Sequence, residues 1–251
     1  LQEKKDILCS CIYGIDIDIH AVEVAKFSLL IKLIEDETAP SVAEVVPILP
    51  DLGDNIQFGN SLVSQAELNG ISCANHQMME ISPFDWSAIN NGCGFDVIIG
   101  NPPYVNTEGM HTLLPSVEVE VYKKKYKTSH KQFDKYFIFI EQAINKIKEN
   151  GLVCYIVPNK FFKIGAGEKL RNLIAKERML ISLDDFGDAQ LFEDKTIYSS
   201  IILLSKVKQT TFVYSSVDSA NELWAGEEVS SIELNSSVLN KLPWRLTTDF
   251  E

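Results

Sequence analysis

Phe95-Asp96-Val97-Ile98-Ile99-Gly100-Asn101-Pro102-Pro103-Tyr104-Val105 is the stretch on which the reading of this chain turns. Its first half is a short β-branched apolar run, of the kind that forms a strand buried on both faces of a parallel sheet. The run breaks at Gly100 into Asn-Pro-Pro-Tyr. Two successive prolines fix φ twice and remove two backbone donors, so a central strand cannot continue through them. What remains is a stiff corner at the carboxyl end of the strand, where open α/β sheets bind their ligands. The corner offers carbonyl acceptors, a carboxamide and a phenol ring, a set suited to an exocyclic amine on a flat heterocycle.

An adenine amino group is a poor nucleophile because its lone pair is delocalised into the ring. If the Asn101 side-chain oxygen and the Pro102 carbonyl each accept one N–H, the nitrogen is drawn toward tetrahedral geometry. Its lone pair then points at an incoming methyl group, and preorganised dipoles stabilise the charge that builds on nitrogen. Tyr104 supplies a stacking face for a base taken out of the duplex. The plain alternative is a strand ending in a proline turn with a surface tyrosine. The position directly after a strand favours the functional reading. The four residues resemble the catalytic motif of amino-methyltransferases that use S-adenosylmethionine. Alone, the motif does not separate DNA adenine from the side-chain amide of a protein glutamine.

At 251 residues the chain holds one full domain and part of a second. Its apolar content of 45% and charged content of 23% are those of an ordinary globular protein. The sequence shows no membrane-length apolar span and no signal-peptide pattern, so a cytoplasmic location is expected. Five scattered cysteines without CxxC or Cys/His spacing argue for reduced thiols and against a structural zinc, and no metal is expected. The net charge of −12 makes the placement of lysines decisive for any nucleic-acid contact. Six lysines fall between Lys123 and Lys135, just past the corner.

Residues 1–10 read as the tail of a helix or a loop. Cys11 to Asp18 is an apolar run ending in acids, followed by an amphipathic helix from about Ile19 to Glu35 with Asp18 as N-cap. An acid after the second strand of a Rossmann-type sheet is placed to bind ribose hydroxyls. Asp16 is the choice for that role, with Ile17 against the cofactor adenine; two acids in a strand-to-helix turn is the bland alternative. Asn55 to Leu62 reads as a short strand ending in Gly-Asn. There Asn60 either recognises an adenine amino edge or simply makes a turn. Residues 64–92 are polar and irregular, with one short helix. Tyr122-Lys123-Lys124-Lys125-Tyr126-Lys127 interleaves lysines with aromatics, which points to phosphate contacts on DNA or to a solvated helix face. Asp134 to Lys148 is a helix with Phe133, Phe137, Ile140, Ile144 and Ile147 along one side. A second buried strand runs from Gly151 to Pro158. Gly165-Ala166-Gly167 reads as a flexible hinge opening a helix through Lys176. Strands follow over Ile181–Phe186, Tyr198–Leu204 and Thr211–Tyr214. From Ser215 the composition turns polar and loop-like, with isolated Trp224 and Trp244.

In this order the segments resemble the gamma class of DNA N6-adenine methyltransferases, above all the large type IIG restriction-modification enzymes and the methyltransferases of phage-defence islands. The resemblance covers roughly residues 11–207. It implies an α/β fold, a Rossmann-like S-adenosylmethionine-dependent methyltransferase sheet with helices on both faces and strand order 3-2-1-4-5-7-6. It implies Asp16 on the cofactor ribose, Asn60 on the cofactor adenine and Asn101-Pro102-Pro103-Tyr104 as catalytic motif. Phe192, in Leu191-Phe192-Glu193-Asp194-Lys195, inherits the second stacking face for the flipped base; an aromatic plugging the sheet end is the other reading. Lys123, Lys124, Lys125 and Lys127 would meet DNA phosphates. The partners implied are double-stranded DNA and a restriction or specificity module in the same or a partner chain. The family's first strand and glycine-rich cofactor loop have no counterpart here. The chain is therefore read as an excised piece of a larger enzyme, inactive alone, with a catalytic domain over 1–207. Residues 208–251 are an extra β segment and linker toward a target-recognition domain. Two rivals stay open: a protein-glutamine N5-methyltransferase, and a non-catalytic module that binds DNA or a partner.

Overall fold

The computed structural model describes residues 1–38, 47–69, 71, 75–190, 198–217, 219 and 229–248. They fall into two compact units, Leu1–Gly92 and Cys93–Glu251.

In the first unit α1 (Gln2–Cys11) precedes β1 (Gly14–Asp16). The helix α2 (Ile19–Ile34) starts at Asp18, whose side chain accepts the His20 N–H at 2.8 Å and satisfies a first-turn donor. Leu8 of α1, Leu33 of α2 and Leu52 form a small buried cluster, with Leu29 and Leu30 packed against it. The strand β2 (Ile56–Phe58) lies parallel to β1, from Gly14 opposite Ile56 to Asp16 opposite Phe58. Gly59 follows at φ 154°, where a Cβ would meet Phe84 at 2.9 Å; only glycine fits that approach. Residues 64–92, irregular by composition, fold into α3 (Gln65–Leu68), α4 (Asn75–Ile81) and 3-10 turns at Trp86–Ala88 and Asn90–Gly92. Local caps start these pieces. Ser64 and Glu67 form a capping box, and Asp85 accepts the Ser87 N–H at 2.9 Å.

The second unit begins with β3 (Phe95–Gly100), α5 (Thr107–Leu113), α6 (Ser116–Lys125) and α7 (Lys135–Lys146). Next come β4 (Ile147–Pro158), α8 (Lys160–Lys163), a 3-10 turn at Gly165–Gly167 and α9 (Glu168–Glu177). The remaining strands are β5 (Leu180–Gln190), β6 (Tyr198–Ser205), β7 (Thr211–Ser216) and β8 (Ser230–Asn235). They make a six-stranded sheet in the order β3-β4-β6-β5-β7-β8. The strands β3 and β4 are parallel, while β6 runs antiparallel between β4 and β5. In these labels the expected order is β2-β1, a gap, then β3-β4-β6-β5. Both parts are found, in two sheets that share no strand pairing among the described residues.

One strand departs from expectation. Beside the expected gap, β3 pairs with β4 alone among the described residues, and its apolar run, read as buried on both faces, leaves Val97 and Ile99 54% and 76% exposed. An apolar run records a tendency to be buried, not how many neighbours supply the burial, so an outer strand reads like a central one. By contrast Phe133, Phe137, Ile140, Ile144 and Ile147 are all buried, as their spacing predicts. Each is worth roughly 1.5–3 kcal/mol of transfer free energy.

Past Ser215, residues 229–248 are not all loop. They contribute β8, and Trp244 is buried against Phe161 and Phe162 at ring-centroid distances of 5.9 and 6.5 Å. The Trp244 N–H donates to the Phe162 carbonyl at 2.8 Å. Arg171, almost wholly buried, donates to the carbonyls of Phe161, Ile164 and Lys241. Trp224 lies outside the described residues.

Gly165-Ala166-Gly167 is not a hinge. A Cβ on Gly167 would stand 1.8 Å from the Phe161 carbonyl oxygen and 2.7 Å from Arg171 Nη1, so close packing explains this glycine. A Cβ on Gly165 would meet nothing within 4 Å. Gly167→Ala should therefore lower unfolding free energy by about 2–4 kcal/mol, the cost of overpacking plus a disturbed Arg171. Gly165→Ala should stay within about 1 kcal/mol of the parent. Urea unfolding of the two variants checks both, and a tolerated Gly167→Ala would restore the hinge reading.

Candidate active site

In the second unit the proline corner emerges at the carboxyl end of β3, beside the carboxyl end of β4. Asn101 and Pro103 are exposed, Pro102 is buried and Tyr104 is half-buried. The Tyr104 hydroxyl donates to Asn101 Oδ1 at 2.5 Å and also faces the Ile156 carbonyl oxygen at 3.1 Å. Its ring meets the fully buried Tyr136 edge to face, with centroids 6.0 Å apart and planes at 81°. Tyr136 in turn reaches the Pro158 carbonyl at 3.4 Å. Burial pushes the Tyr104 phenol up to about 12 and holds Tyr136 well above the usual phenol range. The phenol of Tyr104 is therefore a neutral donor across the physiological range.

The loop after the corner is latched down. The Lys135 N–H donates to the Val105 carbonyl at 2.8 Å, and Thr107 Oγ1 bonds both backbone groups of Phe133. Directly after β4, Asn159 is buried. Its side-chain amide donates to Asp185 Oδ1 at 2.7 Å and to the Gly187 carbonyl at 3.2 Å, while its own N–H donates to the Tyr198 carbonyl at 2.8 Å. Lys163 Nζ lies 3.4 Å from Asp185 Oδ2, so the buried carboxylate is paired. Asn159 thus joins Gly187 to Tyr198. Phe192 lies outside the described residues.

The lysine cluster is placed by its helix. Lys123, Lys124 and Lys125 occupy the last turn of α6, where cations favour the helix dipole, and Lys127 follows the cap. Lys123 Nζ sits 3.4 Å from His111 Nε2, and Lys125 Nζ lies 5.2 Å from the Tyr126 ring centroid. The aromatics of this stretch are not surface groups: Tyr122 and Tyr126 are buried. Glu141 anchors the turn by accepting the N–H groups of Lys127 and Thr128 at 3.0 and 2.8 Å.

In the first unit Asp16 ends β1 and Asn60 lies just past β2, its parallel neighbour. Asp16 is exposed; its Oδ1 accepts the Asp18 N–H at 2.8 Å and its carbonyl accepts the Gly59 N–H at 2.8 Å. Ile17 is also exposed. Asn60 is buried, its Oδ1 accepting the Leu62 N–H at 3.0 Å and its N–H donating to Ser82 at 2.7 Å. An exposed carboxylate beside an exposed isoleucine suits a vicinal diol and an adenine face, whereas the Asn60 oxygen is engaged in its own turn. Among the described residues no group of three or more His, Cys, Asp or Glu side chains could hold a metal ion.

Sequence reasoning missed Tyr136, Asn159 and Asp185. Tyr136 sits one residue off the apolar stripe that defined its helix. Asn159 directly follows the Val157-Pro158 strand end, a signal of the same type as Asn101 but without a second proline.

The chain belongs to the Eco57I restriction-modification methylase family, whose profile matches residues 10–192. It is 44% identical over 216 residues to the type II restriction enzyme and methyltransferase RM.Eco57I of Escherichia coli, covering 86% of this chain and 21% of that protein. The chain spans about a fifth of the length of the curated relatives it matches. Among solved structures, that of the DrdV–DNA complex superposes on 96% of this chain and 25% of its own at TM-score 0.63 and 15% identity. The M protein of the type I restriction enzyme EcoKI covers 84% of this chain and 36% of its own at TM-score 0.52 and 12% identity. These likenesses show the fold alone, an α/β fold shared with methyltransferases of restriction-modification systems.

The buried phenols set an alkaline limit on stability. Burial raises Tyr104, Tyr155 and Tyr214 to about 12, and Tyr136 moves in the same direction. Unfolded phenols ionise near about 10, so above that pH the unfolded chain binds fewer protons than the folded one. Stability should therefore fall as pH rises from about 10 toward 12. Denaturant midpoints across this range check the sign, and a midpoint that holds steady or rises would contradict it.

Proposed function

We propose that the chain forms the methyl-transferring part of a type IIG restriction-modification enzyme, acting in the cytoplasm on N6 of an adenine flipped out of double-stranded DNA. The observation that carries the reading is the Asn101–Tyr104 corner: an exposed carboxamide oriented by a neutral phenol, at the carboxyl end of a strand that pairs in parallel with its neighbour. S-adenosylmethionine, when bound, supplies an electrophilic methyl group. Asp16 would hold its ribose hydroxyls and Ile17 would lie against its adenine. Asn60 would lie against the cofactor adenine.

In this reading the base slides onto the Tyr104 ring, and its amine gives one N–H to Asn101 Oδ1 and the other to the Pro102 carbonyl. Both acceptors gain strength as positive charge grows on nitrogen, so they favour the transition state over the ground state. Phe192 would take the second face of the base. Lys123, Lys124, Lys125 and Lys127 would meet phosphates, and residues 208–251 would lead toward a target-recognition module. Within the family, methyltransferases named with restriction enzymes support DNA over a protein glutamine as acceptor. So does the solution of the DrdV neighbour as a DNA complex.

Two measurements on the intact protein follow. Asn101→Ala removes one acceptor that strengthens in the transition state, so turnover should fall roughly 10²–10³-fold with cofactor affinity little changed. Methylation at near-parental rate would remove Asn101 from the mechanism. Replacing Lys123, Lys124 and Lys125 together should weaken binding to all DNA sequences alike. It should also flatten the salt dependence of log K by about 0.9 per lost phosphate contact. An unchanged salt slope would leave the cluster as a solvated helix end.

A further inference from the structure

A phenylalanine at position 104 would stack on a base as well as a tyrosine does, so the hydroxyl needs its own explanation. That hydroxyl has two acceptors beside it. It lies 2.5 Å from Asn101 Oδ1 and 3.1 Å from the Ile156 carbonyl oxygen, and it carries a single proton. Both neighbours are acceptors, so the oxygen at 104 acts only as a donor here. The ring is held by Tyr136 and the hydroxyl by a backbone carbonyl of β4, which leaves the phenol little freedom to follow Asn101. The carboxamide is the adaptable partner. Asn101 is exposed, and the terminal torsion of an asparagine side chain is broad and nearly two-fold.

We propose that the Tyr104 hydroxyl is a positioning group that selects which end of the Asn101 carboxamide faces the substrate amine. Turned one way, Asn101 presents an oxygen that can accept an amine N–H. Turned by half a revolution, it presents its own N–H groups, which repel the amine. The phenol proton favours the first arrangement: in the second it would have to leave Asn101, 2.5 Å away, for the Ile156 carbonyl at 3.1 Å, with the phenol oxygen accepting the Asn101 N–H instead. The carbonyl-type oxygen has two lone pairs, so it can keep the phenol proton on one while it accepts the amine on the other. The phenol must stay protonated for this, and its burial keeps it so. Tyr104 then acts twice, by its ring on the base and by its hydroxyl on Asn101.

This inference rests on the proposed methyl transfer for its kinetic consequence, but the orientation of Asn101 is testable without it. In the intact protein, Tyr104→Phe should slow single-turnover methylation about 3- to 10-fold, the worth of one net hydrogen bond. In an Asn101→Ala background the same change should cost nothing further, because the hydroxyl has lost the group it orients. Flipping, read from 2-aminopurine at the target position, should be the same in Tyr104→Phe and parent, since the ring remains. A parental rate for Tyr104→Phe, or an equal loss in both backgrounds, overturns the proposal while leaving the reaction assigned. If the intact protein moves no methyl group to DNA, the functional reading fails instead. The proposal is then decided by the nitrogen-15 NMR signals of the Asn101 side chain. A single ordered carboxamide in the parent that becomes conformationally averaged in Tyr104→Phe supports it. Identical order in the two proteins overturns it.

Discussion

Two adjacent prolines have no N–H to give to a neighbouring strand, and the rest of the site follows from that deficit. After Gly100 the chain must leave the ladder, and it leaves with Asn101 exposed and the Pro102 carbonyl without a proline N–H to pair with it. Had any ordinary dipeptide stood there, β3 could have run on beside β4, whose own ladder continues to Pro158. The corner therefore spends no covalent or metal chemistry. It leaves hydrogen-bond acceptors at the end of a parallel strand and holds them still.

Holding them still is the work of the carboxyl end of β4. Within four residues this strand receives the Tyr104 hydroxyl on Ile156 and the Tyr136 hydroxyl on Pro158. Directly after it, Asn159 clasps Gly187 and Tyr198. The sheet is rigid there because β4 pairs on both sides, with β3 and with β6. A reactive corner built on a loop alone would place its acceptors loosely. Here each group is tied to a strand that has no spare pairing edge, which is how small positional tolerances are kept.

Much of this was legible in the chain. The apolar stripe from Phe133 to Ile147, the Asp18 cap and the strand before the proline pair all carry short-range signals, and each forms, although the helix under the stripe ends at Lys146 and Ile147 opens β4. The Asn101 corner was legible for the same reason: its chemistry is contiguous. What escaped was everything set by distant pairing. Tyr122 and Tyr126 look like surface aromatics among lysines, but burial depends on which face of α6 meets the core. Asn159 and Asp185 are far apart in sequence and meet only because β5 and β4 both flank β6. Gly167 reads as a flexible residue, yet its role is set by a carbonyl on the preceding turn. β3 reads as central because an apolar run does not say how many neighbours bury it.

The central claim is that this corner acts on the amine of adenine. The most direct test is to incubate the intact protein with isotopically labelled S-adenosylmethionine and mixed-sequence duplex DNA, digest the DNA to nucleosides and identify the labelled product. The account predicts label in N6-methyladenine alone. Label in N4-methylcytosine, or in the glutamine of an added protein with none in DNA, would contradict it.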